Sequence, residues 1–182
     1  MKKILVIVAH PNIEQSTVNK RWVAELLKSP ELFTVHELYK TYPNGKIDIL
    51  AEQERIEAHQ HLIIQFPLYW FNCPPLLKQW LDDVLSYGWA YGSSGDRLKQ
   101  KKIMLAVSAG IKEDEFSNTG SYQLSLEQIL NPFKLTALYT QADYQPIYAF
   151  YDAENQPEAQ RVDQSALDYV IRLKKLIELD LA

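Results

Sequence analysis

The chain has 182 residues, 47% of them hydrophobic and 23% charged, the make-up of a soluble globular protein with a core that stands without covalent staples. A net charge of −4 with no basic stripe argues against nucleic acid, and a single cysteine, Cys73, excludes a disulfide framework or a cysteine-built zinc site. No apolar run approaches the ~20 residues needed to span a bilayer, so a cytoplasmic protein of one domain, residues 1–182, is expected.

Lys2-Lys3 and the apolar Ile4–Ala9 look like the start of a signal peptide, but the apolar part is short and His10-Pro11-Asn12 is no small-residue cleavage site. Ile4–Ala9 reads instead as a strand covered on both faces of a parallel sheet. A loop, His10–Gln15, leads to a helix with Ser16 or Thr17 as N-cap and Val18, Trp22, Val23, Leu26 and Leu27 on one face. Ser29-Pro30 stops it. Phe33–Leu38 alternates as a second, less buried strand, and Tyr39–Lys46 is a turn-rich connection. Asp48–Ala58 is helical, with Ile49, Glu52, Gln53 and Ile56 in a weak 3.6-residue period.

Leu62–Phe66 is a third, buried strand. It runs into three consecutive rings, Tyr69, Trp70 and Phe71, between Pro67 and Pro74, and then into a helix whose apolar positions are Leu77, Trp80, Leu81, Val84 and Leu85. Trp89–Gly95 is a loop with two more rings, and Lys102–Ser108 a fourth buried strand. Residues 111–120 read as a surface loop. Tyr122–Thr140 is helical with a break near Asn131-Pro132. Tyr144–Phe150 is a fifth strand, bent by Pro146 and so placed towards an edge, and Val162 to Ile177 forms a closing amphipathic helix. Strands alternating with helices give one doubly wound α/β domain.

In such a sheet, ligands bind beyond the carboxyl ends of the strands, where three loops converge. The first, with His10, Ser16, Thr17 and Asn19 at a helix start, suits either an anion or ordinary capping. It has no glycine and so is neither a P-loop nor a G-x-G-x-x-G turn. In the second loop a single core face cannot take all three rings, so at least one lines a cleft or a subunit interface. The third, Ser108–Ile111, offers backbone donors or is simply a turn. His59 and His61 make a poor metal pair, Asp82-Asp83 is solvated charge, and Cys73 is read as a small apolar residue; no metal site is expected.

Four pieces in one order, Ala9-His10-Pro11, Ser16-x-x-Asn19, Pro67-Leu68-x-Trp70-Phe71 with Pro75-Leu76-Leu77-Lys78-x-Trp80, and Gly88-x-Ala90-Tyr91-Gly92, resemble the flavodoxin-like NAD(P)H:quinone oxidoreductases. The likeness is to their short bacterial branch, which includes the ancillary flavoproteins of the Kef potassium-efflux systems and small general-stress oxidoreductases; DT-diaphorase is a longer relative. The resemblance implies a five-stranded parallel sheet in the order 2-1-3-4-5 with helices on both faces. It implies a ping-pong reaction in which NAD(P)H reduces a bound flavin and a quinone or similar flat acceptor takes up two electrons. The alternative it raises is a regulatory flavin-binding subunit of a potassium-efflux transporter, peripheral at the inner face of the membrane. An electron-transfer flavodoxin is a further rival, against which stand the modest net charge and the aromatic Gly88–Tyr91 loop.

Carried over residue by residue, His10, Ser16, Thr17, Val18 and Asn19 hold the flavin phosphate and ribityl chain. Pro67, Leu68, Tyr69 and Trp70 lie against the isoalloxazine ring with their backbone groups near N5, and Phe71 serves the dimer or substrate side. Ser108, Ala109, Gly110 and Ile111 meet the pyrimidine edge, and Trp89, Ala90 and Tyr91 lie where family homodimers place one subunit over the other's flavin. Ile111 stands where the family often has a second glycine. The tyrosine and histidine that DT-diaphorase places after this loop have no clear counterpart, Tyr122 being only a rough positional candidate for a catalytic role. The chain lacks that relative's C-terminal segment, which favours FMN over FAD.

Overall fold

The computed structural model describes residues 4–178; Lys2 and Lys3 lie outside the described residues. Continuous apolar runs make the strands. β1 (Ile4–Val8), β3 (His61–Pro67) and β4 (Lys102–Ser108) are buried almost throughout, whereas β2 (Phe33–Glu37), at the edge, is only half covered. All pair in parallel in the order β2-β1-β3-β4-β5. The register aligns Val8 with Glu37 and Gln65, and Pro67 with Ser108, so the carboxyl ends finish side by side.

The expected fifth strand is two pieces, β5 (Asp143–Tyr144) and β6 (Tyr148–Phe150), both on the outer edge of β4. Pro146 has no N–H to give the ladder. The Gln145 amide bonds Ile103 O at 2.8 Å before the gap, and pairing resumes at Tyr148.

Seven helices cover the sheet among the described residues: α1 (Thr17–Leu26), α2 (Leu38–Thr41), α3 (Ile49–Glu57), α4 (Pro75–Val84), α5 (Leu126–Ile129), α6 (Asn131–Tyr139) and α7 (Ala159–Glu178). Strand side chains alternate between faces. Ile4, Val6 and Val8 pack with Trp22 of α1 and Tyr169 of α7, while Leu5 and Ile7 join Leu77, Trp80 and Phe133 under α4 and α6. Among the described residues no helix is long and apolar enough to cross a membrane.

Four local expectations are corrected. Leu38 starts a helical turn, α2, instead of ending β2, and so enters the core. Leu27 is 59% exposed, because α1 ends at Leu26 and the chain turns away. Ile49 of α3 is exposed, while the polar pair Glu52 and Gln53 takes the buried side; Gln53 Nε2 donates to Val84 O at 2.9 Å and Ser86 Oγ at 3.0 Å. Within the 111–120 loop Phe116 is buried, its ring 5.0 Å from Tyr122 and 5.5 Å from Tyr151. The break at Asn131-Pro132 separates α5 from α6 and uses proline in the first turn, where a missing N–H costs nothing.

Candidate functional site

The first loop leaves β1 at Ala9 and enters α1 through a short 3-10 turn, Ile13–Gln15. Ser16 Oγ accepts from the Asn19 amide at 3.0 Å, so the capping reading holds for the hydroxyl. The amides of Thr17 and Val18, in the first turn, have no acceptor within the helix and point out of its positive end. Val18 and Asn19 are buried, so Val18 can offer a ligand only backbone. His10 Nδ1 accepts from the Asn12 amide at 3.1 Å. Burial lowers the His10 pKa, which keeps the ring neutral at pH 7 and leaves the proton on Nε2 as its outward donor.

The second loop is a tight turn. Tyr69 and Asn72 exchange backbone hydrogen bonds of 2.8 and 2.9 Å, and the two residues between them, Trp70 and Phe71, have φ of 47° and 60°. Both are in the left-handed region that suits glycine or asparagine, not aromatic side chains. Asn72 Oδ1 then accepts from the Cys73 amide at 2.8 Å and leads the chain into α4. Trp70, at the tip, is 94% exposed, and the Phe71 ring stands edge-on to Tyr122 at 4.9 Å. The backbone reading of this loop needs adjustment. The Leu68 amide is bonded to Ser108 O at 2.8 Å and the Tyr69 amide to Asn72 O, so the amides this loop can offer a ligand are those of Trp70 and Phe71.

The third loop follows β4. The Ala109 amide bonds Phe150 O at 2.8 Å, and Ala109 O accepts from Ala153 at 3.0 Å, so Ala109 is tied into the fold and fully buried. Its remaining donors are the Ser108 hydroxyl and the amides of Gly110 and Ile111. Ile111 is exposed, and its carbonyl accepts from the Asp152 amide at 2.8 Å. Gly110 abuts a wall: a Cβ there would stand 2.5 Å from the Glu154 carboxyl carbon.

His10, Ser16, Thr17, Val18 and Asn19, the Pro67–Phe71 turn and Ser108–Ile111 therefore come together beyond the carboxyl ends of β1, β3 and β4, with Tyr122 beside Phe71. Trp89, Ala90 and Tyr91 do not join them. The parallel sheet places these residues, between α4 and the start of β4, at the opposite end. Trp89 Nε1 donates to Glu57 Oε1 at 2.7 Å at the far end of α3, Ala90 is fully buried, and Tyr91 packs on Tyr139 with centroids 5.2 Å apart. An apolar groove of about 880 Å³ between α4 and α6 runs from Asn72, beside the turn, to Tyr91. Cys73 is buried and its thiol is pushed up to about 11, chiefly by burial, which removes it as a nucleophile near neutral pH.

Two parts of the site were not foreseen. The Tyr151–Glu154 wall carries no sequence signal; it forms only because β6 pairs with β4. Gln65 did carry one, as the polar residue of an otherwise apolar strand: fully buried, its Nε2 donates to Asn19 O at 3.2 Å and to Asn19 Oδ1 at 3.3 Å.

A family model described as flavodoxin-like fold matches residues 2–173. A protein of Bacillus subtilis strain 168 called uncharacterized NAD(P)H oxidoreductase YrkL is 44% identical over 82% of this chain and 85% of its own length. The glutathione-regulated potassium-efflux system ancillary protein KefF of Citrobacter koseri is 38% identical over 81% of this chain and 82% of its own. Among solved structures, general stress protein 14 from Treponema denticola, in complex with FMN, is 53% identical. It superposes with a TM-score of 0.92, covering 96% of this chain and 99% of that one.

Proposed function

This chain belongs to the flavodoxin-like fold family, and we propose that within it the protein is an FMN-dependent NAD(P)H oxidoreductase of the quinone-reductase type. The observation that carries the reading is the convergence, beyond the carboxyl ends of the central strands, of an open helix amino end, a strained turn displaying Trp70 and the donors after β4. The donor set fits the cofactor. The Thr17 and Val18 amides, with the hydroxyls of Ser16 and Thr17, suit a phosphate dianion, His10 Nε2–H adds a neutral donor beside it, and a flat ring fits against the turn under Trp70. The 53% identical Treponema protein, solved with FMN, supports FMN over FAD.

When bound, FMN supplies the redox chemistry, taking hydride from NAD(P)H and passing two electrons to the acceptor. The chain's residues bind and orient. The Trp70 and Phe71 amides would hold one edge of the ring system, and the Ser108 hydroxyl with the Gly110 and Ile111 amides would hold the other. Phe71 and Tyr122 together form an aromatic wall for a flat acceptor such as a quinone. No side-chain nucleophile takes part.

Purified protein is expected to carry FMN, or to take it up when supplied, identified by its absorbance and by the mass of the released cofactor. It is then expected to oxidise NAD(P)H with a quinone in a parallel-line, ping-pong pattern. A protein that takes up no flavin sinks the reading. The likeness to KefF favours a second role, as a subunit docked on a potassium-efflux transporter; transporter binding without turnover would replace the enzyme by that subunit.

The same reading includes a homodimer. Leu81 and Leu85 of the α4 side and Leu135, Leu138 and Tyr139 of α6 line one groove, an apolar surface open to solvent. A two-fold axis across it sets the Tyr91 end of one copy beside the Asn72 end of the other, which brings Trp89 and Tyr91 to the partner's site. Leu138→Glu is expected to give monomers in sedimentation analysis; an unchanged dimer would move the interface elsewhere.

A further inference from the structure

Gln65 is a polar side chain with no solvent exposure in a strand whose other residues are mostly apolar. Its Nε2 forks onto both oxygens of one residue, Asn19 O at 3.2 Å and Asn19 Oδ1 at 3.3 Å, while its Oε1 has no hydrogen-bond partner. A buried acceptor left unpaired costs free energy that an aliphatic side chain would not incur. The value of Gln65 therefore lies in what its amide does to Asn19.

Asn19 is 1% exposed and cannot choose its orientation freely. With Oδ1 facing the Gln65 donor, its own Nδ2 must face away, and it donates to Ser108 Oγ at 2.8 Å. Ser108 is thereby cast as acceptor on its inner side. A hydroxyl has a single proton, so that proton is turned away from Asn19, towards the space beyond the end of β4. The Ser108 carbonyl is held as well, accepting from the Leu68 amide at 2.8 Å. The three side chains stand on β3, α1 and β4, the elements that deliver the three site loops.

From this geometry we infer that Gln65 is a positioning residue: acting through Asn19, it sets the Ser108 hydroxyl as a fixed hydrogen-bond donor to an acceptor atom of the bound flavin. The inference rests on the flavin reading above. Without Gln65 the Asn19 amide can rotate and present Oδ1 to Ser108. The hydroxyl then turns inward to donate, and the ligand loses its donor with no residue touching the ligand having changed.

The test is a double-mutant cycle of Gln65→Met and Ser108→Ala on the full chain, read by FMN titration, flavin midpoint potential and thermal midpoint, with the side-chain amide signals of Asn19 followed by NMR in flavin-free protein. Ser108→Ala is expected to weaken FMN about fivefold to tenfold, the value of one hydrogen bond. Gln65→Met is expected to match it, and the double variant to be no weaker than either single one. The potential is expected to move equally in all three, and the Asn19 amide signal to shift in each single variant. Additive losses, or a Gln65→Met protein that loses thermal stability while keeping wild-type FMN affinity and potential, would make Gln65 merely structural and overturn the inference. A wild-type chain that binds no FMN overturns the flavin reading and the role of Ser108 with it. The Asn19 signal separates the two failures, because it reports the relay without flavin.

Discussion

Trp70→Asn is expected to raise the thermal midpoint of the protein while weakening FMN binding. Trp70 occupies the left-handed region at φ 47° in a turn closed by Tyr69 and Asn72, and its ring is 94% exposed. A non-glycine residue held there costs about 1 kcal/mol, which asparagine largely avoids. For a chain of this length that gain is worth a few degrees, on the order of 2–4 °C. Almost nothing in the protomer packs on the ring, so the fold has little to lose. The ligand has much to lose: an aromatic neighbour of a flat cofactor is worth roughly 1.5–3 kcal/mol, about tenfold to a hundredfold in affinity. Strain stored beside a site and released only at the expense of binding is a physical signature of a functional turn. Calorimetry and FMN titration on the same preparation decide it. Unfolding of the variant would show that the turn depends on the ring for its fold, and unchanged FMN affinity would remove it from the flavin.

Glu52→Ala is expected to cost about 3–5 kcal/mol of stability, the usual penalty for breaking a buried charged network by removing one partner. Glu52 has no exposure and has four polar side chains around it. Tyr42 Oη and Trp80 Nε1 each donate at 2.8 Å, His36 Nε2 lies at 2.8 Å, and Arg55 Nε is at 3.4 Å. Burial by itself would raise this carboxyl, but the contacts with His36, Trp80 and Tyr42 outweigh it and hold the group at about 2 against the usual 4.5. A carboxyl depressed in the folded state stabilises above its unfolded pKa and stops doing so as pH falls through the folded value. The contribution, roughly 3 kcal/mol, is therefore complete at neutral pH and fades between about 4.5 and 2. Denaturant unfolding of wild type and Glu52→Gln at pH 7 and pH 3 reads this directly: the wild type is expected to lose more stability on acidification than the variant. Equal losses would show that Glu52 ionisation is not linked to folding.

Much of this fold was legible because burial in a parallel sheet leaves a chemical trace. β1, β3 and β4 are continuous apolar runs, and the helices carry apolar stripes at helical spacing. Glu52 and Gln53 were legible only as members of a weak period. Their burial depends on partners outside their own helix: His36 of β2, Tyr42 just after α2 and Trp80 of α4 around Glu52, and Val84 O and Ser86 Oγ as acceptors for Gln53. The same division runs through the site. That three loops meet beyond the carboxyl ends follows from a doubly wound order, and the rings between Pro67 and Pro74 announced a surface with a purpose. The residues of Trp89–Tyr91 carried a family pattern, but not the fact that a helix length separates them from their own site.

The amino-acid sequence alone determined the class of sheet, the order of its elements and the three loops that follow its strands. Periodicity and punctuation are local properties that any contiguous stretch displays. Only the tertiary structure decided the left-handed turn under Trp70, the Glu154 wall against Gly110, and the orientation that Gln65 imposes on Asn19 and through it on Ser108. The last two are relations between atoms far apart along the chain, set by register and packing, and no single stretch of sequence contains both partners; the turn is local, but its left-handed backbone is one that aromatic residues do not signal.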